Sequence, residues 1–240
     1  MPFPGIPDPK QAGIETPPAD LVARLRSAVA ALQDPPDAAL RRVLAYGEVL
    51  LAANTVTNLT GAKDWDRLGP HLLDCVHAAA YLPEDLRSFF DWGSGGGMPG
   101  LVWAALFPHL EAHLGERNGK KAAFLRAAAD ELELFEVEVH RGQGEETLPH
   151  LDPRPELVVA RAVEPLGRLL KRLSGPGLHL RRLLLMVGPR WEEEWPPEAR
   201  EAGPWKLAAH HEYQPDGEDG GSRHLLALEA RRSSPRRSRP

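Results

Sequence analysis

Phe89-Phe-Asp-Trp-Gly-Ser-Gly-Gly-Gly-Met-Pro-Gly100 is the stretch that decides the fold. The apolar run ending at Asp91 reads as a strand, glycines stand at 93, 95, 96, 97 and 100, and residues 101–107 continue as an apolar helix. Strand, glycine loop and helix start bring backbone N–H groups and the positive end of a helix dipole to one point. The glycines let a ligand approach the main chain without a Cβ clash. The stretch therefore predicts a nucleotide-type cofactor site, and with it a function as well as a fold.

Working outward, short apolar runs alternate with helical patterns on the C-terminal side. Strands are expected at 88–92, 111–115, 136–141, 157–160 and 182–187, with helices at 119–132, 165–173 and 191–200. Two closing antiparallel strands, 206–213 and 224–230, flank a turn at 215–221. This is the pattern of a Rossmann-like α/β fold, a mostly parallel seven-stranded sheet flanked by helices. On the N-terminal side, helical periodicity over 19–33, 37–53 and 67–82, broken by Pro35-Pro36, predicts a helical cap. The expected organisation is a flexible proline-rich leader at 1–18, the cap at 19–86, the core at 87–230 and a disordered basic tail at 231–240.

At 240 residues the chain can bury one full α/β core. Its single cysteine, Cys75, excludes an intrachain disulfide and a thiolate zinc cluster, which points to a cytoplasmic setting. No run of about 18 apolar residues and no basic-then-apolar N-terminal pattern is present, so neither membrane insertion nor secretion is expected. The net charge is −5, and five arginines fall in the last ten residues, so the other 230 carry −10. That tail reads as a solvated extension or, alternatively, as an RNA-contacting arm.

The glycine loop alone fits dinucleotides and S-adenosylmethionine equally, since Gly95-Gly-Gly97-Met-Pro-Gly100 satisfies G-x-G-x-x-G. Asp91 at the strand end suits a cationic amino group and would repel a pyrophosphate, and Pro99 removes a donor from the first helical turn. Both favour S-adenosylmethionine. Glu116, after the second strand, is placed for ribose hydroxyls in either class. Gly142-Gln-Gly-Glu-Glu146 follows the third strand and is placed for adenine, while Val158-Val-Ala-Arg161 ends the fourth, nearest the reacting group.

At these residues the chain resembles the bacterial small-subunit (16S) rRNA guanine-N7 methyltransferases, the RsmG or GidB family. The matching runs are Asn58-Leu-Thr-Gly61, His71-Leu-Leu-Asp74, the Asp91–Gly100 loop, Gly119-Lys-Lys121, Glu145-Glu146, Arg161-Ala-Val-Glu-Pro-Leu166 and Arg223-His-Leu225. The resemblance implies the class I methyltransferase fold, S-adenosylmethionine as donor, and a guanine in the decoding-region loop of the rRNA as acceptor. It places cofactor contacts on Gly93, Met98, Gly144, Glu145 and Arg161, to which the residue reading adds Asp91, Gly95, Gly97 and Glu116. Where the family commonly carries basic residues, this chain has Gln143 and Val187, with Arg190 nearby as a substitute RNA contact.

Guanine N7 is an unprotonated acceptor on the major-groove edge. Its lone pair attacks a sulfonium methyl without a general base, so alignment is the main catalytic requirement. Arg161 is the leading catalytic candidate, holding cofactor or donating to guanine O6; the competing reading is a surface ion pair with Glu164. Lys120, Lys121 and Arg126 would face RNA phosphates if their helix starts at the crevice. His71, Asp74 and His77 lie at i, i+3 and i+6, which diverge around a helix, so a structural role is expected and no metal is. The expected partner is small-subunit rRNA or the assembled 30S subunit, with the protein a monomer. A nicotinamide-dependent oxidoreductase and a non-catalytic RNA-binding relative are the alternatives.

Overall fold

The computed structural model describes residues 3, 5–32, 38–161, 163–214 and 221–231. Three helices come first, α1 (Ala19–Ala30), α2 (Ala39–Val56) and α3 (Trp65–Ala79). Leu21, Leu25 and Val29 give α1 one apolar stripe, and all three are buried. Helix α3 begins where the Asp64 side chain accepts the Arg67 N–H at 2.9 Å.

The core then runs β1 (Ser88–Trp92), α4 (Gly100–Leu106), β2 (Glu111–Gly115), α5 (Gly119–Glu131), β3 (Val137–His140), α6 (Gly144–Thr147) and a 3-10 turn at Leu148–His150. It continues with β4 (Leu157–Arg161), α7 (Leu166–Leu173), β5 (Arg182–Val187), α8 (Trp191–Glu194), α9 (Pro197–Ala202), β6 (Trp205–Tyr213) and β7 (Arg223–Ala230). These strands form one seven-stranded sheet in the order β3-β2-β1-β4-β5-β7-β6. β1 to β5 pair in parallel, and β7 is antiparallel to both β5 and β6.

Strand alternation sends Phe89, Val159 and Leu184 to one face, against α4, α5 and the three leading helices. Phe90, Trp92, Val158, Ala160 and Leu185 go to the other, against α7 and the indoles of Trp191 and Trp195. Helices on both faces explain why β1, β4 and β5 read as nearly continuous apolar runs. Strand order reverses between β1 and β4, and at such a switch point the loops after the strands part to leave a crevice.

Three expectations need correction. The segment expected as a flexible leader lies against the core from residue 5 to residue 18, where Ile6 and Ile14 pack on the main cluster and Glu15 O accepts the Trp65 indole N–H at 2.7 Å. Its prolines lower the entropy lost on ordering, which makes this modest apolar contact sufficient. The expected helical cap is present as α1 to α3 and packs directly on the core, where Leu50, Leu68 and Leu72 share one cluster with Phe89, Trp103 and Phe124. The Trp103 indole N–H also donates to Cys75 O at 2.8 Å, tying α4 to α3. The helix expected at 191–200 is broken into α8 and α9, since Pro196 and Pro197 withhold N–H groups and keep Trp195 out of the helical region.

Finally, Arg231, the first residue of the expected tail, is held, its N–H on Pro204 O at 2.8 Å and its guanidinium on Arg200 O at 2.9 Å. Residues 232–240, most of the turn at 215–221, and Pro35-Pro36 lie outside the described residues. None of the described helices is long and apolar enough to cross a membrane.

Candidate functional site

The glycine loop is built by left-handed backbone. Gly93, Gly95 and Gly97 have φ of +77°, +58° and +103°, values that side chains with a Cβ rarely adopt. The N–H groups of Gly93 and Ser94 both donate to Gly115 O at 3.0 Å, fastening the loop to the end of β2. From the cap side, the Tyr46 hydroxyl of α2 donates to Gly96 O at 2.7 Å.

Asp91 lies beneath this loop and not on the crevice wall, which corrects the expectation of a contact with a cationic amino group. Its carboxylate accepts the Gly100 N–H at 3.0 Å and so closes the start of α4. The residue is 1 % exposed, and burial pushes its pKa up to about 7, against the lowering effect of the Gly100 and Ser94 hydrogen bonds and of Arg161. Gly97 is likewise structural, because a Cβ there would stand 2.7 Å from Leu101 Cδ1.

Above the loop opens a crevice of about 650 Å³, on whose walls Gly93, Gly95, Met98, Glu116, Lys121, Gly144 and Arg161 all lie. Glu116 is anchored by two backbone donors, Gly95 N–H at 2.9 Å and Asn118 N–H at 2.6 Å, one on each carboxylate oxygen. Each oxygen keeps a further lone pair, so hydroxyl donors of a ligand can still be accepted. On the opposite wall Gly144 sits against Trp92 so closely that a Cβ would overlap the indole. The Arg172 guanidinium lies 5.3 Å from the Trp92 ring centroid.

Arg172 also corrects the placement of Glu145. That carboxylate does not reach the crevice but forms a fork with Arg172 Nε and Nη2, while Arg172 Nη1 bonds Glu164. Although burial works the other way, Arg172 draws the Glu145 carboxyl below its ordinary range. The Arg161–Glu164 ion pair weighed from the sequence is replaced by this Arg172–Glu164 pair.

Arg161, at the end of β4, instead faces α3. Its Nη1 stands 3.4 Å from both Asp74 Oδ2 and His71 Nδ1, and the Tyr213 hydroxyl of β6 donates to the other Asp74 oxygen at 2.8 Å. Burial followed by Arg161 lowers the His71 pKa, and burial with Asp74 raises that of Tyr213, so both stay neutral near pH 7. Arg161 Nε is buried and has no hydrogen-bond partner among the described residues. His77 stays outside this cluster, its ring 6.3 Å from that of Tyr213.

A second cavity of about 470 Å³ lies on the far side of Arg161, bordered by His71, Asp74, Glu194, Tyr213 and Arg223. The two cavities share Arg161, Val163 and Glu164. Of the basic candidates, Lys121 borders the crevice, Lys120 is exposed beside it, and Asn118 Oδ1 accepts the Lys120 N–H at 2.9 Å and the Lys121 N–H at 3.3 Å. Arg190 is exposed before α8 and borders neither cavity. Arg126 is committed to Val139 O at 2.6 Å. Sequence reasoning missed Tyr46, Arg172 and Tyr213. Tyr46 carried a signal, a hydroxyl in an otherwise apolar helix face, whereas the pairing of Arg172 depends on chain crossings that no local pattern reveals.

Residues 39–207 match the family model described as rRNA small subunit methyltransferase G. A protein of Halorhodospira halophila with that name is 39% identical over 158 residues, covering 65% of this chain and 73% of the relative. Its namesake in Stutzerimonas stutzeri is 34% identical over 189 residues, covering 78% and 85%. Among solved structures, a mutant of MtNAS in complex with S-adenosylmethionine aligns with a TM-score of 0.52 at 15% identity, over 88% of this chain and 89% of that one. A protein of the NADB-Rossmann superfamily from Streptococcus agalactiae aligns at 0.51 and 16% identity, over 65% and 67%. At these identities the structural likeness concerns the fold alone.

Proposed function

The chain belongs to the rRNA small subunit methyltransferase G family, and from that membership we propose that it transfers a methyl group from S-adenosylmethionine to N7 of a guanine in the decoding-region loop of small-subunit rRNA. The observation that carries the reading is the meeting of two cavities at Arg161, one polar and glycine-lined, the other large enough for a base. The glycine-lined crevice fits the cofactor, since it offers a wall without side chains at Gly93 and Gly95, acceptors at Glu116, and the Trp92 ring beneath Gly144. When bound there, the cofactor supplies an electrophilic methyl on a sulfonium.

The chain's own groups then have defined tasks. Arg161 lines both cavities, and its guanidinium is suited to a cofactor carboxylate or to guanine O6. Asp74, His71 and Tyr213 hold its guanidinium in place. The N7 lone pair carries no proton and needs no base, so His71 serves to position Arg161. Lys120 and Lys121 stand at the crevice mouth for RNA phosphates, and exposed Arg190 is available to a larger RNA surface. The substrate is small-subunit rRNA or the assembled 30S subunit, and the protein acts as a cytoplasmic monomer.

A dinucleotide reading is disfavoured on different grounds from those the sequence offered. Asp91 is out of reach of a pyrophosphate, but the Glu116 carboxylate occupies the Gly95 N–H and places negative charge beside the loop, and Pro99 offers no N–H. The test is transfer of labelled methyl from S-adenosylmethionine to unmodified small subunits and to naked rRNA, with mapping of the modified base. Label at a guanine N7 is expected; tight cofactor binding with no transfer to either substrate would refute the reading.

A further inference from the structure

On the sheet face opposite α4, at the edge formed by β2 and β3, four polar side chains converge that the methyl-transfer reading does not use. His113 and Glu138 are register partners, and Glu111 and His140 lie one step along the same face. His113 Nδ1 stands 3.0 Å from His140 Nε2 and 3.5 Å from Glu138 Oε2, while His113 Nε2 stands 3.1 Å from Glu111 Oε1. Among the described residues, only His113, Glu138 and His140 bring three such ligand atoms within 4.8 Å of one another. We propose that His113, His140 and Glu138 bind a divalent transition-metal ion of the zinc class, with Glu111 as the outer partner that orients His113.

The protons support this assignment. An ionised Glu111 only accepts, so His113 Nε2 carries the ring proton and Nδ1 presents its lone pair. His140 Nε2 must then donate to it. An ion between these nitrogens takes the His113 Nδ1 lone pair and that of His140 Nε2, whose proton moves to His140 Nδ1, where Glu138 Oε1 stands 3.7 Å away. No proton leaves the site. The carboxylate–histidine–metal arrangement is the usual way a ligand imidazole is fixed, and two imidazoles with one carboxylate suit zinc, nickel or copper better than magnesium or calcium. With bonds of about 2.0–2.1 Å, nitrogens 3.0 Å apart and an oxygen 3.5 Å away span one ion with small adjustments. The two imidazoles are nearly enclosed, whereas the Glu138 side chain is 66% exposed, which leaves an entry path.

The location gives the ion a consequence. His140 O accepts the Glu116 N–H at 3.0 Å, and Glu116 O accepts the Gly142 N–H at 3.2 Å. Metal at this site clamps the edge strand just ahead of the 142–144 segment that walls the crevice.

The test is calorimetric titration of the metal-stripped full chain with zinc chloride, paired with thermal unfolding. One ion per chain is expected, with Tm raised by roughly 5–10 °C at 100 times the dissociation constant. His140→Gln should weaken binding at least about a hundred-fold and Glu111→Gln about ten-fold. The Glu111 side chain is 47% exposed, so Glu111→Gln should fold, and thermal unfolding of the metal-free His140→Gln protein checks that it folds too. The His210–His224 pair, with nitrogens 2.9 Å apart, supplies the control, since His210→Gln should change nothing. Absence of binding, equal binding by His140→Gln, or loss of binding in His210→Gln would each overturn the proposal. Metal stoichiometry is read without methyl transfer, so this test stands apart from that of the proposed activity.

Discussion

Replacing Asp91 with asparagine separates the two roles open to a strand-end carboxylate, structural anchor and ligand contact. The side chain is 1 % exposed, and burial lifts its pKa to about 7, against about 3.9 in an unfolded chain. Between these values the folded protein holds a proton at Asp91 that the unfolded chain has released. Stability from this group is therefore fully present below about pH 4 and is lost as pH rises to about 7, at about 1.4 kcal/mol per unit and about 4 kcal/mol in all. Asparagine keeps an acceptor for the Gly100 N–H, bonded at 3.0 Å, but has no charge to bury.

Denaturant unfolding of both proteins across pH 4.5–8 should thus show Asp91→Asn gaining on the parent as pH rises and running parallel to it above about 7. Curves parallel throughout would refute the burial argument. The same variant tests the site. With Asp91 beneath the loop, cofactor affinity should change only a few-fold, whereas loss of a direct charged hydrogen bond would cost about 1.5–3 kcal/mol, or on the order of ten- to a hundred-fold in affinity.

Other substitutions probe the walls and the junction. Gly144→Ala forces a Cβ into the Trp92 indole, and should destabilise the fold by about 1–3 kcal/mol and weaken cofactor binding, both measurable by unfolding and calorimetry. Tyr46→Phe leaves Gly96 O, now bonded at 2.7 Å, without its donor. A loss of about 1–3 kcal/mol of stability with weaker cofactor binding is expected, and unchanged affinity would mean that α2 does not hold the loop. Arg161→Lys keeps a cation for Asp74 but loses the planar guanidinium, so methyl transfer should fall about a hundred-fold while the far-UV spectrum is retained. Arg161→Ala should in addition cost about 3 kcal/mol or more, because it strands Asp74, whose side chain is 7% exposed.

The sheet was legible in the sequence because β1, β4 and β5 are buried on both faces and each of the first five strands ends at a recognisable loop or helix start. Expected and observed bounds agree for 88–92, 111–115 and 182–187. The errors fall where a local pattern meets tertiary contact. Prolines in the first eighteen residues signal the absence of regular structure, and from residue 5 the segment has none, but absence of helix or strand does not imply mobility when Ile6 and Ile14 find a core to cover. The Pro196-Pro197 break was written in the sequence and was overridden only by reading the flanking helical residues as one run.

The candidate site divides in the same way, and the division explains why a carboxylate's position along the chain misled where a glycine's did not. A glycine reports on its own backbone: Gly93 and Gly95 adopt positive φ in the loop that lines the crevice. A carboxylate reports on whichever donors surround it, and those are set by the packing of other elements. Asp91 shares its strand face with Phe89 and meets the N-terminus of α4, so its nearest donor is Gly100 N–H. Glu116 lies one residue past β2, beyond the sheet edge, so its donors come from the loop and the crevice. Arg161 and Arg172 carry this logic furthest. Glu164 lies three positions from Arg161 and eight from Arg172, and the sequence suggested only the nearer pairing. The fold gives Glu164 to Arg172 and gives Arg161 to Asp74, on a helix that begins nearly a hundred residues earlier. That exchange frees Arg161 from the surface and sets it on the wall that the two cavities share.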